Sequence, residues 1–255
     1  MNKSYTNNST VRTFAILEIM AKVGSPLSLT DISEATNLDV TTIRRFIMTL
    51  SDMGYVAKVD NGNYKMTSKI LDLSSSYLRN ISLPEQSLPF LTEFCKKTNA
   101  SVSLGILDGS EAVYIAHVSE KEALSVGVRI GTRLPAHATA IGKVLLSKLS
   151  SSEIHQLYEE NLPIFTTRTI PRLGILTGAL SEVRNQGFAI SDEEYEVGVR
   201  AASTPIQDAN GQLISALNVS VKTEVISKQK FYTEIVPTLL DTAYKISNSL
   251  KSTEN

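Results

Sequence analysis

The sequence predicts an α+β fold in two parts joined by a helix. Residues 1–67 are expected to form a winged helix-turn-helix, residues 68–82 a linker helix, and residues 83–255 an antiparallel sheet flanked by helices. Three observations carry this prediction. Apolar residues recur at helical spacing up to Gly54, a hairpin signal follows at Asp60-Asn61-Gly62, and strict alternation begins near Ala100.

The first part contains two short helices separated by a tight turn. Ser28 is a good N-cap, and Asp31 stands three residues later, as in a capping box. Asn37-Leu38-Asp39 is typical of a turn. The second helix has one apolar stripe made of Ile43, Phe46, Ile47 and Leu50. With a preceding helix at Thr10–Lys22 and two short strands around the hairpin signal, the pattern indicates a winged helix-turn-helix.

The polar face of this motif has the chemistry of DNA contacts. Hydroxyls and amides at a helix start suit phosphate oxygens, and arginine can bind a guanine edge with both arms of its guanidinium. The candidate DNA-binding residues are Arg12, Ser28, Thr41, Thr42, Arg44, Arg45, Thr49, Lys58 and Lys65. The alternative is an ordinary helical pair with a solvated charged face, in which Lys58 and Lys65 are simply solvated.

Charge and composition restrict the class of protein. The chain has 255 residues, a net charge of −1 and a 42% apolar share, as expected for a globular protein with an ample core. Residues 1–80 carry nine basic and seven acidic side chains, a net of +2. That charge is too small for tight binding by phosphate neutralisation alone, so specific DNA binding requires two or more copies.

Other partners and compartments are constrained by what the sequence lacks. Cys95 is the only cysteine, which excludes an intrachain disulfide, and we interpret it as a core residue. We expect no metal and no cofactor. With neither an apolar run of roughly 18 residues nor a secretory leader, we also expect no membrane partner and a cytoplasmic location.

The second part is predicted from alternation and turn signals in chain order. A helix from Pro84 to Thr98 is expected to be made irregular by Pro89. The predicted strands are 101–107, 111–118, 123–128, 188–190, 200–206 and 213–221. The predicted helices are 140–149, 152–160, 173–185 and 227–250, and residues 131–139 are expected to form a loop.

Three stretches of the second part, together with the winged helix, carry a resemblance to a known family. They are Gly131–Ser147 (GTRLPAHATAIGKVLLS), Gly187–Ile206 (GFAISDEEYEVGVRAASTPI) and Leu217–Ser220 (LNVS). The chain from about Thr10 to Leu250 resembles the IclR family of bacterial transcriptional regulators. The run from Ser125 to Ala136 is most similar to the branch that controls protocatechuate and p-hydroxybenzoate breakdown.

This resemblance implies a GAF-like domain that binds a small organic acid or aromatic effector, in dimers that commonly associate to tetramers. It also implies a binding pocket, although several members have a cysteine where this chain has Ala201. The pocket residues carried over are His137, Ala138, Thr139, Ala140, Ile141, Ser191, Glu193, Ala201, Asn218 and Ser220.

The residues themselves suggest a carboxylate site in the same place. Backbone amides at the helix start after Thr139 can receive a carboxylate. Arg129 and Arg133 offer bidentate charge, and Tyr114 or His117 a polar or stacking partner. We add Ser103, on the first strand of the hairpin, to the candidate effector-binding residues.

Structural interpretations remain open for several of these residues. His137 is equally consistent with a hydrogen-bonded core or loop histidine, and Arg133 with a structural salt bridge. The acidic run at 192–196 is typical of a solvated loop rather than an acid–base pair.

The function expected is a DNA-binding transcriptional regulator controlled by a small organic acid. The acid is expected to be an aromatic carboxylate, and an aliphatic oxo-acid is the alternative. The partners expected are a double-stranded DNA operator, the effector, a second copy in a homodimer or dimer of dimers, and RNA polymerase. An enzyme is disfavoured because no nucleophile elbow, phosphate loop or paired metal motif occurs. A ligand sensor whose helix-turn-helix contacts only protein is a further alternative.

Overall fold

The computed structural model describes residues 6–79, 81–119 and 127–253. The chain divides into two compact units, Met1–Asn80 and Ile81–Asn255, each with its own apolar core. The first unit contains α1 (Asn8–Val23), α2 (Leu29–Thr36), α3 (Val40–Asp52), β1 (Val56–Lys58), β2 (Tyr64–Met66) and α4 (Ile70–Arg79). The helix-turn-helix and the hairpin are therefore where the sequence predicts them.

Local chemistry explains how the helices of the first unit begin and end. The Ser28 hydroxyl accepts a hydrogen bond from the Asp31 amide at 3.1 Å, and the Asp31 carboxylate accepts one from the Ser28 amide at 2.8 Å. This capping box holds the pKa of Asp31 below its ordinary value, through the backbone bond first and the hydroxyl second. Gly24 and Asn37 end α1 and α2 in the left-handed conformation, where glycine and asparagine carry the least strain.

The second unit is built on one antiparallel sheet. Its helices are α5 (Leu83–Thr98), α6 (Ala140–Leu146), α7 (Ser151–Leu157), α8 (Leu173–Gln186), α9 (Lys228–Lys230) and α10 (Val236–Thr253). Its strands are β3 (Ser101–Asp108), β4 (Glu111–Val118), β5 (Arg133–Pro135), β6 (Ala189–Asp192), β7 (Val199–Gln207) and β8 (Leu213–Lys222). The strand order is β5-β4-β3-β8-β7-β6.

The two faces of this sheet differ in chemistry because successive side chains alternate. Val102 and Leu104 on β3 face the same way as Leu217 and Val219 on β8, and this face packs against α5 and α10. The opposite face has small or polar side chains and is covered by α6. Its members include Ser103, Gly105, Tyr114, Ser191, Ala201, Ala216, Asn218 and Ser220.

Several expected elements differ in the structure. Pro89 does not interrupt α5, which is continuous from Leu83 to Thr98. Residues 131–139, predicted as a loop, contain β5 and a 3-10 turn at Ala136–Ala138. The last helix has a π-helical turn at Phe231–Ile235. The predicted strand at 123–128 lies mostly outside the described residues, and residues 127–128 are not in a strand.

No helix of the described ranges combines the length and apolarity that crossing a membrane requires.

Candidate functional site

Helix α3 is fixed by a buried stripe and by its N-cap. Ile43, Ile47 and Leu50 are buried in the core of the first unit. The Asp39 carboxylate accepts hydrogen bonds from the Thr42 hydroxyl at 2.6 Å and the Thr42 amide at 2.8 Å. These bonds, the hydroxyl bond first, hold the pKa of Asp39 below its ordinary value. The helix start is thus rigid, as a helix that presents side chains to another surface needs to be.

The opposite face of α3 is exposed and basic. Thr41, Arg44 and Arg45 are exposed there, as the apolar stripe implies. Met48, three residues after Arg45, is 50% exposed on the same side, and the sequence reasoning missed it. Its spacing from Thr41 and Arg44 was the available signal. A bare apolar side chain among arginines suits contact with a thymine methyl group.

Three predicted hydroxyls already have local partners. The Thr42 hydroxyl donates to Asp39, and the Thr49 hydroxyl donates to the Arg45 carbonyl at 3.0 Å. A phosphate oxygen can only accept, so these two side chains have no proton left to give it. The Ser28 hydroxyl accepts its capping bond and keeps its proton for another acceptor. Thr42 and Thr49 are therefore corrected from candidate phosphate donors to structural groups.

The hairpin separates its two lysines. The register pairs Lys58 with Tyr64 and Ala57 with Lys65. Directly paired residues share a face and adjacent residues alternate, so Lys58 and Lys65 point to opposite sides of the hairpin. Arg12, on α1, is exposed. The expectation that both lysines face one DNA backbone is therefore not met by the register.

A cavity of about 240 Å³ lies in the second unit, where α6 covers the polar face of the sheet. It exists because this face carries small side chains such as Ala201 between longer ones. Gly142 brings the start of α6 close to the sheet, since a Cβ at this position would overlap the Ala136 backbone. The lining consists of Tyr114, Gly127, Val128, Thr132, Leu134, Thr139, Ala140, Ser191, Tyr195, Glu196, Val199, Ala201, Asn218 and Ser220.

The polar groups of the cavity are neutral apart from one carboxylate. Glu196 is the charged residue of the described lining, which contains no lysine or arginine. Burial, and then the nearby Tyr195, raises the pKa of Tyr114 well above its ordinary value, so this phenol stays protonated near neutral pH. The lining therefore offers an acid hydrogen-bond donors without a countercharge.

Asn218 leaves an acceptor without a partner. Its side chain is 2% exposed, and its Nδ2 donates to the Ser220 hydroxyl at 2.9 Å. Its Oδ1 is buried and has no hydrogen-bond partner among the described residues. An unpaired buried acceptor costs about 1–3 kcal/mol. Because Asn218 lines the cavity, a bound molecule can satisfy this atom.

One wall of the cavity is fastened by a buried ion pair. Lys143 on α6 donates to the Ile190 carbonyl at 2.6 Å and to the Glu194 carboxylate at 2.5 Å. The Thr169 hydroxyl holds the Glu194 carbonyl at 2.6 Å. Burial raises the pKa of Glu194, while Lys143 opposes that rise. The segment that continues to Tyr195 and Glu196 is thereby joined to α6.

Both candidate arginines lie outside the lining. The Arg133 guanidinium pairs with Asp108 at 2.5 Å and Glu111 at 2.8 Å on the surface, and these bonds raise its pKa. This is the structural salt bridge that the sequence left open. Arg129 is exposed, and its backbone amide donates to the Thr132 hydroxyl. The predicted bidentate contact to an acid in this cavity is thus corrected.

His137 faces a different groove. It is buried, and its Nε2 lies 2.9 Å from the Pro163 carbonyl, which requires the proton to be on Nε2. Its ring contacts Tyr158 and Phe165. Burial lowers the pKa of His137, and the Pro163 bond partly offsets this. The hydrogen-bonded core histidine is the interpretation that the structure supports.

Four other predicted pocket residues also lie elsewhere. Ser103 and His117 share a hydrogen bond of 2.9 Å, and burial lowers the pKa of His117. Ile141 packs in the core beneath α6. Ala138 is buried and accepts a bond from the Ser191 hydroxyl. Glu193 pairs with Arg168 at 3.7 Å.

The remaining predicted pocket residues do line the cavity. They are Tyr114, Thr139, Ala140, Ser191, Ala201, Asn218 and Ser220. The sequence reasoning missed Gly127, Val128, Thr132, Leu134, Tyr195, Glu196 and Val199. Thr132 and Leu134 border a strand of three residues, which is too short to give an alternation signal. The described residues contain no group of three or more His, Cys, Asp or Glu side chains placed to hold a metal ion.

Comparison with known families and proteins gives consistent matches along the chain. The IclR helix-turn-helix domain matches residues 9–60, and the C-terminal domain of the bacterial transcriptional regulator IclR matches residues 75–248. The HTH-type transcriptional regulator XynR of Escherichia coli strain K12 is 36% identical over 84% of this chain and 86% of its own length.

Two further relatives concern aromatic acids. The p-hydroxybenzoate hydroxylase transcriptional activator of Acinetobacter baylyi is 33% identical over 92% of this chain and 88% of its own length. A solved structure shows a double mutant of the inducer-binding domain of the Acinetobacter PobR transcription factor with 3-hydroxybenzoic acid. It is 33% identical, has a TM-score of 0.59, and covers 64% of this chain and 97% of that chain.

The two family matches follow one another along the chain in the order that the fold predicts. The first falls on the helix-turn-helix and the second on the unit with the cavity. The regulators matched inside and outside the aromatic-acid branch have similar identities, so they determine the family rather than the branch. The chain belongs to the IclR family of bacterial transcriptional regulators, DNA-binding proteins rather than enzymes.

Proposed function

We propose that this regulator binds a small aromatic carboxylate of the hydroxybenzoate class in the cavity beneath α6. The observation that carries the proposal is the cavity itself, which is about 240 Å³ and lined by hydroxyls, one amide and apolar groups. Pockets for drug-sized ligands measure roughly 300–1,000 Å³, so this one suits a single ring. The likeness to a domain solved with 3-hydroxybenzoic acid supports the same class.

The acid is held by neutral donors. The protonated Tyr114 phenol is the principal donor to the carboxylate, since the described lining has no cation. A hydrogen bond to a charged group contributes about 1.5–3 kcal/mol, so one or two such bonds can replace an arginine at a buried site. Short aliphatic oxo-acids are the competing ligands because they also fit this volume.

At the operator, α3 is the recognition helix of each protomer. Thr41, Arg44 and Arg45 contact base edges or phosphates, and Met48 contacts a thymine methyl. Arg12, Ser28 and one of the two hairpin lysines contact the backbone. The small charge of residues 1–80 supports a homodimer, or a dimer of dimers, on half-sites spaced by helical turns.

The effector acts through its different affinities for two arrangements of the dimer. The arrangement that it favours changes either the affinity for the operator or the recruitment of RNA polymerase. The regulator works on the chromosome and therefore in the cytoplasm.

Ligand binding is tested by thermal shift with the full chain against benzoates, hydroxybenzoates and short oxo-acids. A ligand at one hundred times its Kd stabilises the folded state by about 2.7 kcal/mol, which is a readily measured rise in Tm. We expect a rise with at least one hydroxybenzoate. If only aliphatic acids raise the Tm, the aromatic class is excluded.

DNA binding is tested by a band shift with the region upstream of the regulator's own gene. We expect a band that resists unrelated competitor DNA. Equal competition by unrelated and upstream DNA would contradict sequence-specific binding.

A further inference from the structure

We infer that Asn218 selects effectors that carry a hydroxyl group, because its Oδ1 accepts a hydrogen bond from that hydroxyl. This inference rests on the proposed function and specifies which members of the acid class the cavity prefers. Asn218 is thus a specificity-determining residue at one end of the cavity.

The first step is that the acceptor is fixed in place. Asn218 lies on β8 between Ser103 of β3 and Ser203 of β7 in the sheet register. Its Nδ2 donates to Ser220, so Oδ1 is the atom that remains available. The amide cannot turn to find another partner without losing the bond to Ser220.

The second step is that the neighbouring polar groups are already occupied. The Ser103 hydroxyl bonds to His117, and the Ser203 hydroxyl donates to the Leu217 carbonyl at 2.8 Å. Neither therefore supplies the missing donor to Asn218. A ligand that reaches this end of the cavity encounters an acceptor that only a donor can satisfy.

The third step is the distance between the two ends. Tyr114 is on β4 and Asn218 on β8, with β3 between them. Two strand spacings amount to roughly 10 Å between backbones, and the side chains shorten that gap. A single ring with a carboxylate at one end and a hydroxyl at the other can span it. The carboxylate then faces the phenol, and the hydroxyl faces Oδ1.

Charge assigns the same orientation. A carboxylate placed at Asn218 would set two acceptors against each other, whereas a hydroxyl there donates. An analogue without the hydroxyl leaves Oδ1 buried and unpaired. We expect it to bind about 10- to 100-fold more weakly.

The test measures Kd by calorimetry for two pairs of acids that differ by one hydroxyl, benzoate with 4-hydroxybenzoate and propionate with lactate. Wild-type protein should prefer the hydroxylated member of whichever pair binds. In Asn218→Leu the preference should fall to within about twofold. In Asn218→Asp, which keeps an acceptor, the preference should persist while affinity for both acids falls. Asn185→Leu, at an exposed site on α8, should behave like wild type.

The outcomes separate this inference from the proposed function. Preference for lactate over propionate, with no binding of either benzoate, would overturn the aromatic class and retain the role of Asn218. A hydroxyl preference that survives in Asn218→Leu would overturn the role of Asn218. Tighter binding of 4-methoxybenzoate than of 4-hydroxybenzoate would do the same, because a methoxy group only accepts. Binding of none of these acids would overturn both. If the leucine variant does not fold, persistence in Asn218→Asp with loss in Asn218→Ala decides the matter.

Discussion

Lys143 is buried on α6, where its charge is balanced by Glu194. A sequence pattern of an apolar helix start predicts the helix but gives no indication of this pair, since the partners are 51 residues apart. The same limit applies to Arg133, which resembled a carboxylate ligand and is paired with Asp108 and Glu111. Charge is visible in a sequence, whereas the counterion depends on tertiary placement.

We predict that Lys143→Met destabilises the protein by about 3–5 kcal/mol, because it leaves Glu194 buried without a partner. The double variant Lys143→Met/Glu194→Gln should regain much of that loss. Urea unfolding of the two single variants and the double variant measures the coupling. Strictly additive losses would show that the pair does not act as a unit.

We predict that Arg45→Ala weakens specific operator binding by about 1–3 kcal/mol, the value of a good arginine–guanine contact. Fluorescence anisotropy at several salt concentrations separates this from a simple loss of charge, since a base contact changes specificity. Arg172→Ala, exposed at the start of α8, is the matched control. Unchanged affinity in Arg45→Ala would remove this residue from the recognition surface.

Among the elements, the long periodic ones follow from the sequence and the short ones do not. Helix α3 was predictable from its stripe and Asp39 cap, and β3, β4, β7 and β8 from alternation. Strand β5 has three residues and is held by pairing with β4, which no local pattern reveals. The missed cavity residues Thr132 and Leu134 follow from that gap.

The hairpin gives a prediction that the register makes specific. Because Lys58 and Lys65 lie on opposite faces, we expect only one of Lys58→Ala and Lys65→Ala to weaken DNA binding. That variant should also reduce the salt slope by about one contact. Titrations of both variants from low to high salt measure this. Equal losses in both would contradict the separation of the two side chains by the register.

At the scale of the whole molecule, stability should depend on pH through its buried histidines. Burial lowers the pKa of His117 and His137 in the folded state, so the unfolded chain binds more protons as pH falls below about 6.5. Their contribution is present above that pH and is lost on acidification. Glu194, whose pKa is raised, acts in the opposite sense above its ordinary value.

We therefore expect the Tm to fall between pH 7 and pH 5.5, and to fall less in His137→Gln. His155→Gln, at an exposed site on α7, should follow the wild-type curve. Calorimetry at matched ionic strength provides the Tm values. A steeper fall in His137→Gln than in wild type would reverse the assigned sign.

The order of the two units was predictable from the sequence, whereas the cavity was not. Its volume depends on small residues on one sheet face, on the close approach of α6 at Gly142, and on the segment held by Glu194. These contacts join distant parts of the chain. Residue types alone placed Asn218 near the effector but did not reveal its unpaired acceptor.

The most direct test of ligand control is operator affinity with and without 4-hydroxybenzoate, in wild type and in Ala201→Leu. The larger side chain fills part of the cavity and leaves α3 untouched. We predict that the acid changes the affinity of wild type and of Ala209→Leu, a control in the exposed β7–β8 turn. Ala201→Leu should bind the operator with the affinity of acid-free wild type and should not respond to the acid. An equal response in Ala201→Leu, or none in wild type, would contradict control through this cavity.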